Sequence, residues 1–252
     1  RDRPTRLREA LLQSRNVVTV RLLNDLGVAK TKNYLTRFGF DRDSLPDDLS
    51  MALGSYGISP YKNAEFFSIF ANGGKKINPT YIEKIVDKDG NEIFFDQKDL
   101  SKTTLEQWIG KPLTVDETFA IDPRVSFVVT DILREATRRG TGRGIKKLQR
   151  DDFAGKTGTT NDSESTWFTG YNKEILTTVW FGYDQPRSLG QKEYGSTTAL
   201  PIWLGYMEDI IDSIEYSPPV IPANLVAKKI NLANGLDASS SDQNTGFEYF
   251  FD

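Results

Sequence analysis

Ala154-Gly155-Lys156-Thr157-Gly158-Thr159-Thr160-Asn161-Asp162 is the stretch on which the fold turns. Gly155-Lys156-Thr157 has the ending of a phosphate-binding loop. Such a loop needs another glycine five residues before Gly155, where this chain has Arg150, and a helix after the lysine to hold phosphate at its N-terminus. Here Gly158, Thr159, Thr160 and Asn161 follow, and then a strand-forming run, Thr166–Tyr171. The nucleotide reading fails, and the lysine belongs to an extended strand at a sheet edge. A glycine there leaves room for an extended substrate to lie along the strand. Threonine hydroxyls on either side can hydrogen-bond a carboxylate or acyl group, the Thr159 amide can serve as an oxyanion donor, and the lysine sets a positive field.

The composition makes this cluster stand out. The 252 residues contain no histidine and no cysteine. Nucleophile systems built on Ser-His-Asp or Cys-His are therefore impossible within them, as are metal sites built on imidazole or thiolate. No cofactor and no metal is expected, and lysine, hydroxyl, carboxylate and backbone amide must carry any acyl chemistry. Hydrophobic residues at 38% and aromatics at 12% suffice for a sizeable core. The net charge of -3, from 32 basic and 35 acidic residues, argues against a dedicated nucleic-acid binder. The absence of cysteine leaves the redox compartment open. No run approaches the length of a membrane span and no secretory leader is visible. The chain begins at Arg1, and the expectation is a fragment or a processed product. Two basic clusters occur, Arg1, Arg3, Arg6 and Arg8, and then Arg134, Arg138, Arg139, Arg143, Lys146, Lys147 and Arg150. They read either as solvated helix ends or as a surface facing an anionic polymer or lipid head groups.

The rest of the chain reads outward from the lysine strand. Thr166–Tyr171 and Ile175–Tyr183 predict a hairpin turning at Asn172-Lys173. Leu200–Ile211 predicts a final helix. Upstream, Asp122-Pro123 predicts the start of a long helix that ends at Gly140, and Ser59-Pro60 an N-cap with proline at the first helical position. Gly140-Thr141-Gly142-Arg143-Gly144 reads as a helix stop and turn. Thr5–Leu12, Asn16–Leu26 and Val28–Phe38 predict three helices, the second mostly buried, with Gly27 and Gly39 as stops. Thr80–Val86 and Glu92–Phe95 predict a hairpin around Asp89-Gly90. The order predicts an α+β fold with a mainly antiparallel sheet packed between helices. Beyond Ser217-Pro218-Pro219 the polar composition and Ser239-Ser240-Ser241-Asp242 predict a flexible C-terminal extension over 217–252.

Ser14-Arg15-Asn16 falls at the junction between the first two helices. It reads either as a helix end followed by an N-cap, or as a hydroxyl that passes a proton beside an amide that binds a peptide carbonyl. Ser-x-Asn and Lys-Thr-Gly, in that order and without histidine, belong to the motif set of penicillin-binding proteins and class A β-lactamases. The chain resembles the transpeptidase domain of the bifunctional class A penicillin-binding proteins, most closely the Gram-negative 1a branch. The likeness includes Leu7-Arg8-Glu9-Ala10-Leu11, Met51 to Pro60, Phe70-Ala71-Asn72-Gly73-Gly74, Arg139-Gly140-Thr141-Gly142-Arg143, Trp167-Phe168-Thr169-Gly170-Tyr171 and Trp180-Phe181-Gly182-Tyr183-Asp184. It covers roughly residues 4 to 212, which places the C-terminal part of that domain at 1–216.

The resemblance implies a D,D-transpeptidase, a serine-type D-Ala-D-Ala transpeptidase. It would cross-link peptidoglycan stem peptides through a serine acyl-enzyme and be acylated by β-lactams. It implies that Ser14 shuttles a proton, Asn16 holds the substrate's peptide carbonyl and Lys156 hydrogen-bonds Ser14. Thr157 and Thr159 would bind a terminal carboxylate, and Gly158 would let the donor peptide add to the strand edge. The family's nucleophile is the serine of a Ser-x-x-Lys placed upstream of Ser-x-Asn. Ser59-Pro60-Tyr61-Lys62 lies downstream of Ser14 and reads instead as an N-cap, so the nucleophilic serine is not expected in this chain. The implied partners are stem peptides, a lipid-linked precursor and β-lactam antibiotics. The implied location is the periplasmic face of the inner membrane, through an upstream anchor, with a glycosyltransferase domain also upstream. The alternative is a non-catalytic peptidoglycan-binding or sensor domain on the same fold.

Overall fold

The computed structural model describes residues 5–79, 84–95 and 119–252. Along them run the helices α1 (Leu7–Leu12), α2 (Asn16–Leu26), α3 (Val28–Leu35), α4 (Pro60–Ala71), α5 (Pro123–Arg139) and α6 (Ala199–Ile210). The strands are β1 (Lys84–Val86), β2 (Glu92–Phe95), β3 (Ala154–Thr159), β4 (Ser165–Tyr171), β5 (Leu176–Gly182), β6 (Leu225–Asn231) and β7 (Thr245–Phe251).

Local chemistry explains the boundaries. The Ser59 hydroxyl accepts from the Lys62 amide at 3.2 Å, and Pro60 opens α4. Asp122 does the same for α5, accepting from the Arg124 amide at 2.8 Å ahead of Pro123, and Arg138 and Arg139 complement the negative end of that helix. The turn between β4 and β5 is held by the Asn172 side chain, which accepts from the amides of Glu174 (2.9 Å) and Ile175 (3.0 Å).

β3, β4 and β5 form an antiparallel sheet in that order, with Ala154 opposite Tyr171, Gly158 opposite Trp167, and Trp167 opposite Trp180. Alternation sends Phe168 and Tyr171 to opposite faces. Phe168 joins Ile145, Phe153 and the α6 residues Leu200, Trp203 and Met207 in one core. Gly170 permits that approach, because a Cβ there would lie 2.5 Å from Cζ2 of Trp203. On the other face Tyr171 and Ala154 pack with Leu133 of α5, and Phe67, Phe70 and Leu11 close around them. The sheet is thus layered between α6 and the pair α4 and α5, the α+β arrangement expected.

Two expectations are corrected. The apolar composition of α2 predicts a mostly buried helix, yet only Leu23 is buried, packed with Leu45 and Met51, while Val17 is 64% exposed. The apolar residues are there, but among the described residues only one side of α2 meets a partner. The second correction concerns 217–252. This segment carries an antiparallel hairpin, β6 with β7, and is not a featureless extension. Leu225 and Ile230 are buried. The polar run is tied down by its own side chains, with Asp242 accepting from Asn231 Nδ2 and from the Ser239 amide, both at 2.8 Å. Tyr249 meets Phe127 of α5 edge-on at 4.9 Å, and Arg124 lies over the Phe251 ring. The hairpin around Asp89-Gly90 is present as β1 and β2, while positions 80–83 lie outside the described residues.

The basic residues are largely matched internally. Arg8 is buried and donates to Glu248 of β7 through Nε at 2.8 Å, with Asp131 and Glu135 of α5 at 2.8 and 2.9 Å. Arg139 holds Glu9 and Glu135. Arg134 and Arg138 face Asp151, and Arg150 pairs with Asp152. A cleft of about 370 Å³ opens beside Arg6, Arg8 and Arg139, between α1, α5 and the hairpin of β6 and β7. Arg1 and Arg3 lie outside the described residues.

Candidate active site

β3 is the outer strand of its sheet, and among the described residues no strand pairs with its free edge. The Thr160 amide bonds to the Ser165 carbonyl at 3.0 Å, so alternation turns the amides of Thr159 and Thr157 to the open edge. The same alternation divides the side chains. Lys156 and Gly158 share a face with Trp167, and Thr157 and Thr159 lie on the other.

Lys156 reaches across to the turn after α1. Its ammonium donates to the Ser14 hydroxyl and, at 2.8 Å, to the Thr157 carbonyl. Burial disfavours the charged form and lowers the Lys156 pKa to about 8. The group is therefore mostly protonated at neutral pH but close to releasing its proton.

Ser14 is held in an unusual way. Its amide donates to Leu11 O at 3.1 Å and that of Arg15 to Ala10 O at 2.8 Å. These are the two hydrogen bonds of a Schellman helix end, with Ser14 at the left-handed position that glycine normally fills. Ser14 accordingly has φ +50°. A non-glycine residue in this region carries a backbone cost that glycine would not. Asn16 follows as the exposed first residue of α2, with no side-chain hydrogen bond among the described residues.

Two loops close on the threonine face. Thr157 donates to the Thr141 hydroxyl at 2.7 Å, from the turn after α5. The Gly195 amide donates to Thr159 Oγ1 at 3.1 Å, from the loop before α6. Gly195 lies so close over Gly158 that a Cβ would sit 2.6 Å from the Gly158 carbonyl and 2.5 Å from that of Trp167. In the sequence the glycines that flank Thr141 read as a simple helix stop, and its contact with Thr157 emerges only in the fold. Its glycine-threonine-glycine setting was the available signal.

Ser59 has none of these features. Its hydroxyl is engaged as the cap of α4, and Lys62 pairs with Glu65 at 2.6 Å. Glu65 holds the Lys62 ammonium above its ordinary value, the wrong direction for a base. Among the described residues no group of acidic side chains could hold a metal ion, and no helix is long and apolar enough to cross a membrane.

Comparison with known families places the chain. The profile described as penicillin binding protein transpeptidase domain fits residues 1–202. The chain belongs to the penicillin-binding protein transpeptidase family. Among relatives of the chain, penicillin-binding protein 1A of Pseudomonas aeruginosa is 38% identical over 98% of the chain and 34% of that protein. Its counterpart in Neisseria gonorrhoeae is 42% identical over 80% of the chain and 24% of that protein. The chain thus spans about a third or less of these relatives. The crystal structure of penicillin-binding protein 1A from Haemophilus influenzae superposes with a TM-score of 0.84 at 29% identity, over 98% of this chain and 40% of that one. The PonA1 protein of Mycobacterium tuberculosis in complex with penicillin V shares the fold, with a TM-score of 0.62 at 23% identity over 86% of this chain and 58% of that one. Penicillin-binding proteins thus supply both the sequence and the structural relatives.

Proposed function

We propose that this chain is the C-terminal part, over 1–216, of a D,D-transpeptidase domain. The whole protein would cross-link peptidoglycan stem peptides through a serine acyl-enzyme. The observation that carries this reading is the hydrogen bond from Lys156 to Ser14 beside an open strand edge, in a chain without histidine.

The division of labour follows from hydrogen-bond direction. Lys156 donates to Ser14, so the Ser14 proton is turned away from the lysine and is free to go to a leaving amine. Loss of that proton is offset by the adjacent ammonium. A donor peptide lying along the β3 edge finds the outward amides of Thr157 and Thr159, and Gly158 offers no side chain in its way. Its terminal carboxylate takes hydroxyl hydrogens from Thr157 and Thr159. Asn16 is free to donate its amide to a peptide carbonyl. The nucleophilic serine and its lysine are assigned to a Ser-x-x-Lys outside these 252 residues. The acyl group passes to that serine as D-alanine leaves, and then to the amine of a neighbouring stem. β-Lactams would acylate the same serine, as would suit the relatives whose structures carry penicillin or imipenem. The likeness to class A proteins favours an upstream glycosyltransferase domain acting on a lipid-linked precursor and an anchor to the periplasmic face of the inner membrane.

Labelling with a fluorescent penicillin tests the reading. The intact protein is expected to label at a serine outside this chain, and the isolated 252 residues to stay dark. An intact protein that binds stem peptides yet never labels would favour the non-catalytic sensor. Labelling of the isolated chain at Ser59 would overturn the assignment of the nucleophile.

A further inference from the structure

We propose that Thr141 is a positioning residue of the carboxylate subsite, acting through Thr157. The inference rests on the transpeptidase reading and deepens it at the same site.

The turn that carries Thr141 is fixed on two sides. Gly140 donates its amide to Ala136 O at 3.0 Å and Gly142 to the same carbonyl at 3.2 Å. A Cβ on Gly140 would lie 2.5 Å from the Leu12 carbonyl and 2.9 Å from the Ala136 backbone, so the turn is wedged between the ends of α1 and α5. Those helices also set the Ser14 turn, and Thr141 is thereby held in register with it. From this fixed point Thr141 accepts the Thr157 hydroxyl hydrogen at 2.7 Å.

The proton count identifies what is missing. Thr141 accepts from Thr157 and keeps its own proton, and Thr159 accepts from Gly195 and keeps its own. Lys156 projects from the opposite face of the same strand. The edge is therefore rich in unspent donors and poor in acceptors, which suits a ligand with two anionic oxygens. As such a carboxylate enters, Thr157 turns its hydrogen to the ligand. Thr141 then reverses and donates to Thr157, polarising the hydroxyl that meets the carboxylate. Both side chains are only half-buried, so their mutual hydrogen bond contributes little to stability by itself.

Acylation kinetics of the intact protein test this with a β-lactam bearing its free carboxylate and with the methyl ester of the same compound. Thr141→Val is expected to raise the half-saturating concentration for the carboxylate about tenfold, leave the limiting acylation rate within about twofold, and leave the ester unchanged. Thr141→Ser restores the hydroxyl and the affinity. Thr141→Ala serves as the second variant should valine disturb the turn. Equal effects on acid and ester, or none on either, overturn the role of Thr141 and leave the transpeptidase reading intact. A wild-type protein that neither compound acylates overturns that reading itself.

Discussion

Lys156 of β3 donates a hydrogen bond to Ser14 across 142 residues of sequence, and the serine that receives it sits where a helix end normally places glycine. A hydroxyl-bearing side chain thus stands at a position whose backbone favours glycine. Ser14→Gly and Ser14→Ala both remove that hydroxyl, but only glycine relieves the left-handed strain. Ser14→Gly is expected to be more stable than Ser14→Ala by about 1 kcal/mol in urea unfolding. Equal stabilities would show that the turn is unstrained.

Lys156 should reveal itself by titration. Its lowered pKa, about 8, comes from burial, which disfavours the ammonium in the folded chain. Between about 8 and the ordinary lysine value near 10.5 the unfolded chain binds this proton and the folded chain does not. Stability therefore gains a contribution as pH rises through that window and lacks it below. Comparing wild type with Lys156→Met at pH 7.5 and 10 isolates the effect. In nitrogen-detected NMR one lysine should titrate near 8 and vanish in the variant, and a Lys156 midpoint above 10 would refute the burial argument.

Arg8 is the most heavily committed cation. Removing it leaves Asp131 without its ion-pair partner and Glu135 and Glu248 with only Arg139 and Arg6, so Arg8→Ala is expected to cost about 3–5 kcal/mol. Glu248→Gln keeps two carboxylates on the guanidinium and should cost about 1–2 kcal/mol. Chemical denaturation of both variants checks the order, and a larger loss for Glu248→Gln would contradict it.

Ser59→Ala separates capping from catalysis. Loss of the hydroxyl that accepts the Lys62 amide is expected to cost about 1 kcal/mol of stability. Penicillin labelling of the intact protein should be unchanged. A lost label with retained folding would place Ser59 in the chemistry.

Gly195→Ala should pry the loop before α6 from the sheet, because the added carbon would fall 2.5 Å from the Trp167 carbonyl and neither backbone can yield independently. A loss of about 1–3 kcal/mol is expected, with the Thr159 amide signal shifting as its neighbour withdraws. A variant of native stability would mean the loop moves freely.

The sequence announced the elements that carry their own punctuation. Asp122-Pro123 and Ser59-Pro60 start helices where the side chains cap them, and Asn172 turns the hairpin of β4 and β5. The register of Lys156 beside Ser14 was legible only through the family resemblance, since no local pattern links positions 142 residues apart. Composition predicts a buried α2 because it counts apolar residues without saying what faces them, and among the described residues Leu23 is the only one of that helix that is buried. The terminal hairpin was hidden because Ser239 and Asp242 are polar in the way of a loose tail, yet they bond their own backbone. Thr141 was hidden by its glycines.

The ion pair of Arg8 with Glu248 closes a loop of 240 residues. Contacts of that range are expensive in chain entropy and form late. The short helix that precedes Ser14 is thus synthesised well before the strand that secures it, since its guanidinium awaits a carboxylate 240 residues later. Until β7 docks, a nascent chain can hold its sheet and still lack a fixed Ser14. Acquisition of a competent site, followed by pulse labelling during synthesis, should trail the folding of the sheet.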